Sequence, residues 1–416
     1  PPRSTLFPYT TLFRSQTGQD DEKKSPQDDG RLHGEPQQGV LVVVHGKQLD
    51  SHGQEPMHHA QDFINHPAGQ HRGNEENQAF QKGGFKPFHV FTILQTIMAV
   101  HNFNPEKYYY TFGPHEPALR VRDGDTVTAE TRDAFGLDAR RRPIPPHMRQ
   151  AVPGGAPHPS NPLVGPVVVE GAKRGDVLAV SIDRIAIDRD FAISKQTENF
   201  GSLTGEAPGR RLLYNPPVPT VWYEWKLDPE RGVAVFDMPK SRVGKAEAPL
   251  APFIGSIGTA PPHGRIETSL TPGEYGGNMD YRGLTEGTTL YLPVWVDGAY
   301  LFFGDVHALQ GDGEMNGTAL ETSARVTLTL RIRRGMKAAW PRIETAAHIE
   351  AAGSTRPLYD CVRLANMEVL RWLVEGYGFD RTEAWQLMGQ VGEMRIANVV
   401  DPNYTVVAAF PKRYLP

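Results

Sequence analysis

Residues 272 to 321 read PGEYGGNMDYRGLTEGTTLYLPVWVDGAYLFFGDVHALQGDGEMNGTALE, and side chains able to hold a cation or move a proton recur there at a spacing of two. Asp305 and His307 are two apart, as are Asn278 and Asp280, and Asp312 and Glu314. In an extended strand such pairs project to one face. Residues 299 to 304 are apolar and aromatic, which puts Asp305 at the end of a buried strand, where a carboxylate needs a metal or hydrogen-bond donors. Three readings stand on spacing alone. In one, Asp280, Asp305 and His307 ligate a divalent cation and Glu314 handles protons, a mixed carboxylate and imidazole set that suits zinc or another borderline or hard cation. In another, the carboxylates build an Arg-paired or calcium-type structural site. In the third, they cap turns and face water.

Other residues offer weaker chemistry. Gly255-Ser256-Ile257-Gly258 is half of a nucleophile elbow without the full GxSxG pattern, which makes Ser256 an alternative nucleophile or a substrate contact. Backbone N–H groups at Gly276 or Gly258 are candidates for an oxyanion site. Asp133 and His115 flank the first strand pair and are placed to reach across a sheet, with Asp133 a second candidate catalytic carboxylate. Neither HExxH nor a nucleotide-binding glycine fingerprint is found in this segment.

The elements that must position these groups read as strands. Leu119 and Val121 alternate with Arg120 and Arg122, Asp123-Gly124-Asp125 makes a turn, and residues 126 to 131 alternate again, which predicts a hairpin. Residues 177 to 187 put Leu178, Val180 and Ile182 on one face, and residues 289 to 296 form a further strand after a Gly-containing turn. In residues 325 to 333, Val326, Leu328, Leu330 and Ile332 face one way and polar residues the other, the pattern of an antiparallel sheet with one solvated face. Residues 190 to 245, with Trp222, Tyr223 and Trp225, show little period and are expected to be long loops and short strands near an opening. Helices are expected late, over residues 360 to 375, with Leu364, Met367, Leu370 and Val374 on the packing face, and over residues 381 to 388, opened by Asp380 and Glu383. The expected fold is mainly β, an antiparallel sandwich-like body with a small α/β C-terminal portion.

Composition agrees. The 416 residues include 42 Gly and 36 Pro, near a fifth of the chain against about 12% in ordinary proteins. Both interrupt helices, which excludes a helical bundle. A net charge of −4 gives no global reason to bind nucleic acid or an anionic membrane. The one cysteine, Cys361, excludes a disulfide scaffold. Residues 5 to 15, TLFPYTTLFRS, match the translation of a sequencing adapter, so residues 1 to 15 are expected to be an assembly artefact. Residues 16 to 107 are expected to be a largely disordered polar tail, with a short strand conceivable at Val40 to Val44, and residues 108 to 416 a single domain. A cytoplasmic location is the default expectation, with secretion or a periplasmic location open.

Several motifs, taken in order, resemble the acetamidase/formamidase family. They are NPLVGP from Asn161, VEGA from Val169, GSIGTAP from Gly255, GGNMD from Gly276, GTTLYLP from Gly287, GDVHA from Gly304, QGDGE from Gln310 and GTALE from Gly317. The ending with Tyr377-Gly378-Phe379, Glu383-Ala384 and Asp401-Pro402 is similar too, and the likeness runs from about Tyr110 to Pro402. The resemblance implies a mainly β amidohydrolase that cleaves short linear amides of the formamide and acetamide type to carboxylate and ammonia, and metal-bound forms with zinc or calcium. Carried over by motif, it points to Asp280, Asp305, His307, Gln310, Asp312, Glu314 and Glu321. The combined expectation is metal-activated water, with Asp280, Asp305 and His307 as ligands and zinc favoured over calcium. Glu314 moves protons, and Ser256, Gly276 and Gln310 meet the substrate or oxyanion. A small amide is the expected partner, a homo-oligomer is possible, and neither nucleic acid nor membrane is expected. The alternatives are a carbohydrate- or ligand-binding β module with a structural cation, and a serine amidase using Ser256. Residues 133 to 158 and the Trp-rich segment near Trp222 depart from the family pattern, so the substrate is open beyond formamide and acetamide.

Overall fold

Alternation in Ala324–Arg333 sets the frame: Val326, Leu328, Leu330 and Ile332 are buried, and Arg325, Arg331 and Arg333 are exposed. The structure, a computed structural model, describes residues 98–152, 160–198, 200–203 and 219–416, all within one compact unit. Ala324–Arg333 is the third strand of a nine-stranded sheet, antiparallel to Val177–Ile187 on one side and to Thr126–Glu130 on the other. On its solvated face Thr329 and Thr327 bond across to Thr126 and Thr128 at 2.9 and 3.0 Å, cross-strand pairs that hold the register.

The second large sheet carries the chemistry. Every residue of Leu163–Val169, Phe253–Gly258, Gly276–Asn278 and Leu301–His307 is buried. Leu301–His307 pairs along one edge with Phe253–Gly258. Its other edge is shared by Leu163–Val169 near its start and Glu321–Thr322 near its end. One apolar cluster joins the two sheets, with Leu178, Val180, Leu328 and Leu330 from the first and Val167, Ile254, Ile257 and Phe303 from the second. Burying side chains of this size from both sheets is the main stabilising term. The fold is mainly β, as expected, and among the described residues all strand pairs are antiparallel save Val100–Phe103 with Thr126–Glu130 and Leu119–Val121 with Leu163–Val169.

Four local expectations are corrected. Leu119–Val121 and Thr126–Glu130 do not form a hairpin but lie in different sheets. The turn between them, closed by Asp125 N to Arg122 O at 3.1 Å, is tied to a third strand: Gly124 N donates to Leu330 O at 2.7 Å and Leu330 N to Asp125 O at 3.0 Å. The described part of residues 190 to 245 carries more regular strand than its weak period suggests. It holds Phe191–Gln196, Val221–Asp228 and Val233–Met238, and with Gly244–Pro249 these strands extend one edge of the second sheet as an antiparallel meander. The period is masked because large aromatics occupy both faces: Trp222 is exposed while Trp225 stacks on Phe236 at 4.6 Å. Val100–Phe103 forms a strand inside the stretch expected to be tail, held by its pairing with Thr126–Glu130. Residues 1 to 97, with the adapter-like start and Val40 to Val44, lie outside the described residues.

Both helices form. α1, Leu358–Tyr377, ends on Gly378 in the left-handed region, and α2, Arg381–Val391, is capped by Asp380, whose carboxylate accepts from Thr382 N and Glu383 N. The packed face of α1 differs from the expected one. Cys361, Ala365, Val369, Trp372 and Leu373 are buried, while Met367 is exposed. Ala365, Val369 and Trp372 share a cluster with Ile349 and Ala351 of His348–Thr355 and with Ala408 and Phe410 of Tyr404–Pro411. The small side chains let the helix approach those strands closely. Among the described residues no helix is long and apolar enough to cross a membrane.

Candidate active site

Sheet pairing brings the acidic residues together. His307 ends Leu301–His307 and faces Glu321 across the ladder, and Phe253–Gly258 is flanked by Leu301–His307 and by Gly276–Asn278, which leads into Asp280. Glu314 sits in a turn closed by Glu314 N to Gly311 O and Gly317 N to Glu314 O. Asn398 and Asp401 arrive from the end of Glu393–Asn398, and Asn161 precedes Leu163–Val169. Ile254 and Ile257, three apart, both reach the shared core, as do Phe303 and Val306. The in-and-out alternation therefore changes phase between them, at Gly255 and at Asp305, which has a φ of 55°. Asn161, Asp280 and Glu314 are also left-handed, at 56°, 48° and 48°. Non-glycine residues held there store roughly 1–3 kcal/mol each, which the surrounding structure must offset.

A buried amide network holds the carboxylates. Asn161 Nδ2 donates to Asp305 Oδ2 at 2.7 Å, Asn278 Nδ2 to Asp280 Oδ2 at 2.8 Å and to Asp401 Oδ2 at 2.6 Å, and Asn398 Nδ2 to Asp401 Oδ2 at 2.6 Å. Gln310 fixes the imidazole. Its Nε2 donates to the carbonyls of Asp280 and Ala397 at 2.9 and 3.1 Å, so its oxygen faces His307 Nδ1 at 2.9 Å and requires a hydrogen on that nitrogen. His307 Nε2 is left pointing at Asp305 Oδ2 and Glu321 Oε2, at 3.5 and 3.4 Å.

Asp280, Asp305, Glu314, Glu321 and Asp401 are all buried beside this one imidazole. Burial, reinforced by the Glu314 charge, lifts the Asp280 carboxyl well above the usual range. Burial and then Asp401 lift Glu314 well up, and burial raises Glu321. Asp401 is pushed up to about 7, chiefly by burial. Burial opposes charge on His307, but Glu321 and Asp305 outweigh it and hold its pKa well above the imidazole range. So many carboxylates cannot be buried in charged form without compensating cations or protons. Asp280 Oδ1, Asp305 Oδ1, His307 Nε2 and Glu321 Oε2 are buried without a hydrogen-bond partner. Two sets, Asp280–His307–Glu314 and Asp305–His307–Glu321, each bring their ligand atoms within 4.8 Å of one another. The unpartnered atoms and the mixed N/O donor set fit a divalent cation.

Above the cluster lies a pocket of about 230 Å³ with Asn161, Asn278, Glu314, Glu321 and Asp401 among its lining residues. Known proteins share this architecture. An acetamidase from Yersinia enterocolitica superposes with a TM-score of 0.66 at 34% identity, covering 77% of this chain and 94% of that one. The chain belongs to the acetamidase/formamidase family. The model of that family matches residues 265–414. A predicted acetamidase/formamidase from Thermoanaerobacter tengcongensis superposes with a TM-score of 0.64 at 27% identity over 76% of this chain and 96% of its own. A putative formamidase of Schizosaccharomyces pombe is 28% identical over 211 residues, 41% of this chain, so the match spans about half the length of that curated relative.

The family strands place the expected residues unevenly. Asp280, Asp305, His307, Gln310 and Glu314 meet in the cluster. Asp133 does not. Its carboxylate is fully buried and already occupied, Oδ2 by Arg189 Nη1 at 2.8 Å and Oδ1 by Phe135 N and Leu137 N, so it is a structural ion-pair partner rather than a catalytic acid. Arg189 in turn donates to Glu321 O at 2.6 Å. Ser256 Oγ donates to Asn278 Oδ1, and among the described residues no imidazole or amine lies at bonding distance to activate it. It orients Asn278 instead. Gly276 N donates to Gly273 O at 3.1 Å and is not free for an oxyanion. Gln310 holds the imidazole rather than substrate. His115 bonds Thr111 at 2.8 Å, and Asp312 pairs with Arg282 at 3.3 Å, both outside the cluster. Spacing paired Asn278 with Asp280 but did not single out Glu321, Asn161, Asn398 or Asp401 as members of the cluster. The family motifs contained all but Asn398, for which no local signal exists.

Proposed function

We propose that this protein is an amidohydrolase that cleaves a linear amide with water to a carboxylate and ammonia. The observation that carries the reading is the small pocket lined by Glu314, whose carboxylate lies within 4.8 Å of the ligand atoms of Asp280 and His307. Asp305, His307 and Glu321, with Asp280 beside them, are the residues to hold a divalent cation, and the imidazole ligand favours zinc over the all-oxygen coordination typical of calcium. Such an ion, when bound, polarises a carbonyl and lowers the pKa of water. The chain supplies the rest. Gln310 keeps the Nδ1 hydrogen in place so that Nε2 stays available, an outer contact of the kind that tunes metal ligands. Asn161, Asn278 and Asn398 hold the carboxylates apart at fixed angles. Glu314, facing the pocket, takes a proton from the attacking water and delivers it to the departing nitrogen. Ammonia release from formamide and acetamide, measured beside metal content, tests this. Glu314→Gln is expected to lower kcat by about 10²–10⁴-fold with the metal retained. Near-normal turnover in that variant would contradict the role.

A further inference from the structure

The amide-hydrolase reading leaves the acyl group open, and the walls of the pocket bear on it. At about 30 Å³ per water in the liquid, 230 Å³ is roughly eight water volumes, so formamide or acetamide, with three or four non-hydrogen atoms, leaves about half of it unfilled. Beside the cluster residues the lining holds Phe135, Phe200 and Leu270, the large apolar side chains, together with Ser160, Lys195, Thr197 and Thr318. Phe135 is braced from outside the pocket: Trp222 meets it edge to face with centroids 4.7 Å apart, and the Lys195 ammonium stands 4.8 Å over the Trp222 ring. Phe200 lies against Gly317, where any side chain would collide with its ring. Phe135 thus has a packed aromatic neighbour before substrate arrives, which lowers the entropic cost of using it, and Phe200 sits close on the Gly317 backbone. An anionic acyl end is disfavoured by Glu314, Glu321 and Asp401 in the lining, and Lys195, the one cation among the described lining residues, stands over the Trp222 ring.

We infer that the pocket selects amides whose acyl group is neutral, apolar and larger than methyl, of about five or six carbons, seated against Phe135 and Phe200. Trp222 and Lys195 act as supports for Phe135. The inference rests on the amidohydrolase reading and extends it to substrate class.

The test is ammonia release by the full chain from acetamide, butanamide, hexanamide, benzamide and succinamate. A methylene buried in an apolar site is worth about tenfold or more in kcat/KM, so butanamide and hexanamide are expected to exceed acetamide by at least that factor, and succinamate to fall below butanamide. Phe135→Ala and Phe200→Ala are each expected to cut the hexanamide-to-acetamide ratio about tenfold. Phe135→Leu, which keeps apolar bulk, is expected to restore most of it, and equal thermal midpoints would show that folding is not the cause. Acetamide hydrolysed in preference to the longer amides overturns this inference alone, as does a ratio unmoved in both alanine variants or a preference for succinamate. No ammonia from any amide overturns the amidohydrolase reading beneath it as well.

Discussion

Gly255→Ala tests how tightly the cluster is built. A Cβ at this position would stand 2.8 Å from Asp280 Oδ1, 2.8 Å from the Asp305 carbonyl and 2.9 Å from His307 Cε1. Reaching ordinary van der Waals separation requires each to retreat by about 0.5–0.6 Å. The backbone of Gly255 is not left-handed, so the effect is steric and confined to these three neighbours. Active-site groups tolerate displacements of about 0.5 Å, and about 1 Å costs on the order of 10²-fold. The expected loss in kcat/KM is therefore about 10- to 100-fold. Overpacking adds roughly 1–3 kcal/mol of destabilisation, a shift of several degrees in Tm. The assay is steady-state ammonia release at a temperature well below the unfolding midpoint, with metal content measured on the same sample. A variant that keeps more than half the wild-type kcat/KM and its full metal content would refute the claim that Asp280, Asp305 and His307 form one rigid unit around Gly255.

Three other outcomes are expected. Gln310→Leu removes the partner of His307 Nδ1 and should weaken metal binding about 10- to 100-fold, read by competition with a chelating indicator. Asp133→Leu strands the fully buried Arg189 and should cost about 3–5 kcal/mol in denaturant unfolding. A catalytic Asp133 would instead lose turnover at unchanged stability. Ser256→Ala removes one hydrogen bond to Asn278 and should lower kcat by less than about tenfold, whereas a serine nucleophile predicts near-complete loss.

Much of the frame was legible because it is local. The alternation of residues 325 to 333 and the Asp380 cap depend on neighbours a few positions away, and both form as expected. The misread elements are those whose partners are distant. The turn at Gly124 resembles a hairpin until Leu330 claims its hydrogen bonds, a contact across some two hundred residues of chain. Val221–Asp228 has aromatics on both faces and is held between Phe191–Gln196 and Val233–Met238, pairings that its own pattern does not announce. For α1, bulk suggested the Leu364 and Met367 face, but closeness of approach selected the face with Ala365.

The site follows the same division. Asp305 and His307 announce themselves by spacing and by the apolar run before them. Glu321 comes in through the ladder with His307, and Asn398 and Asp401 come from the far end of the chain. Asp133 was plausible as a lone carboxylate near a strand end, and it is Arg189, fifty-six residues on, that gives it another task.

The central claim is that the buried carboxylates around His307 hold a divalent cation on which amide hydrolysis depends. Ammonia release from acetamide and hexanamide, followed on purified protein before chelation, after chelation and after return of zinc or calcium, tests it most directly alongside elemental analysis of each sample. The account predicts a bound divalent metal, activity lost in proportion to its removal, and recovery when one of the two ions is restored. Full ammonia release from protein with no bound metal would contradict it.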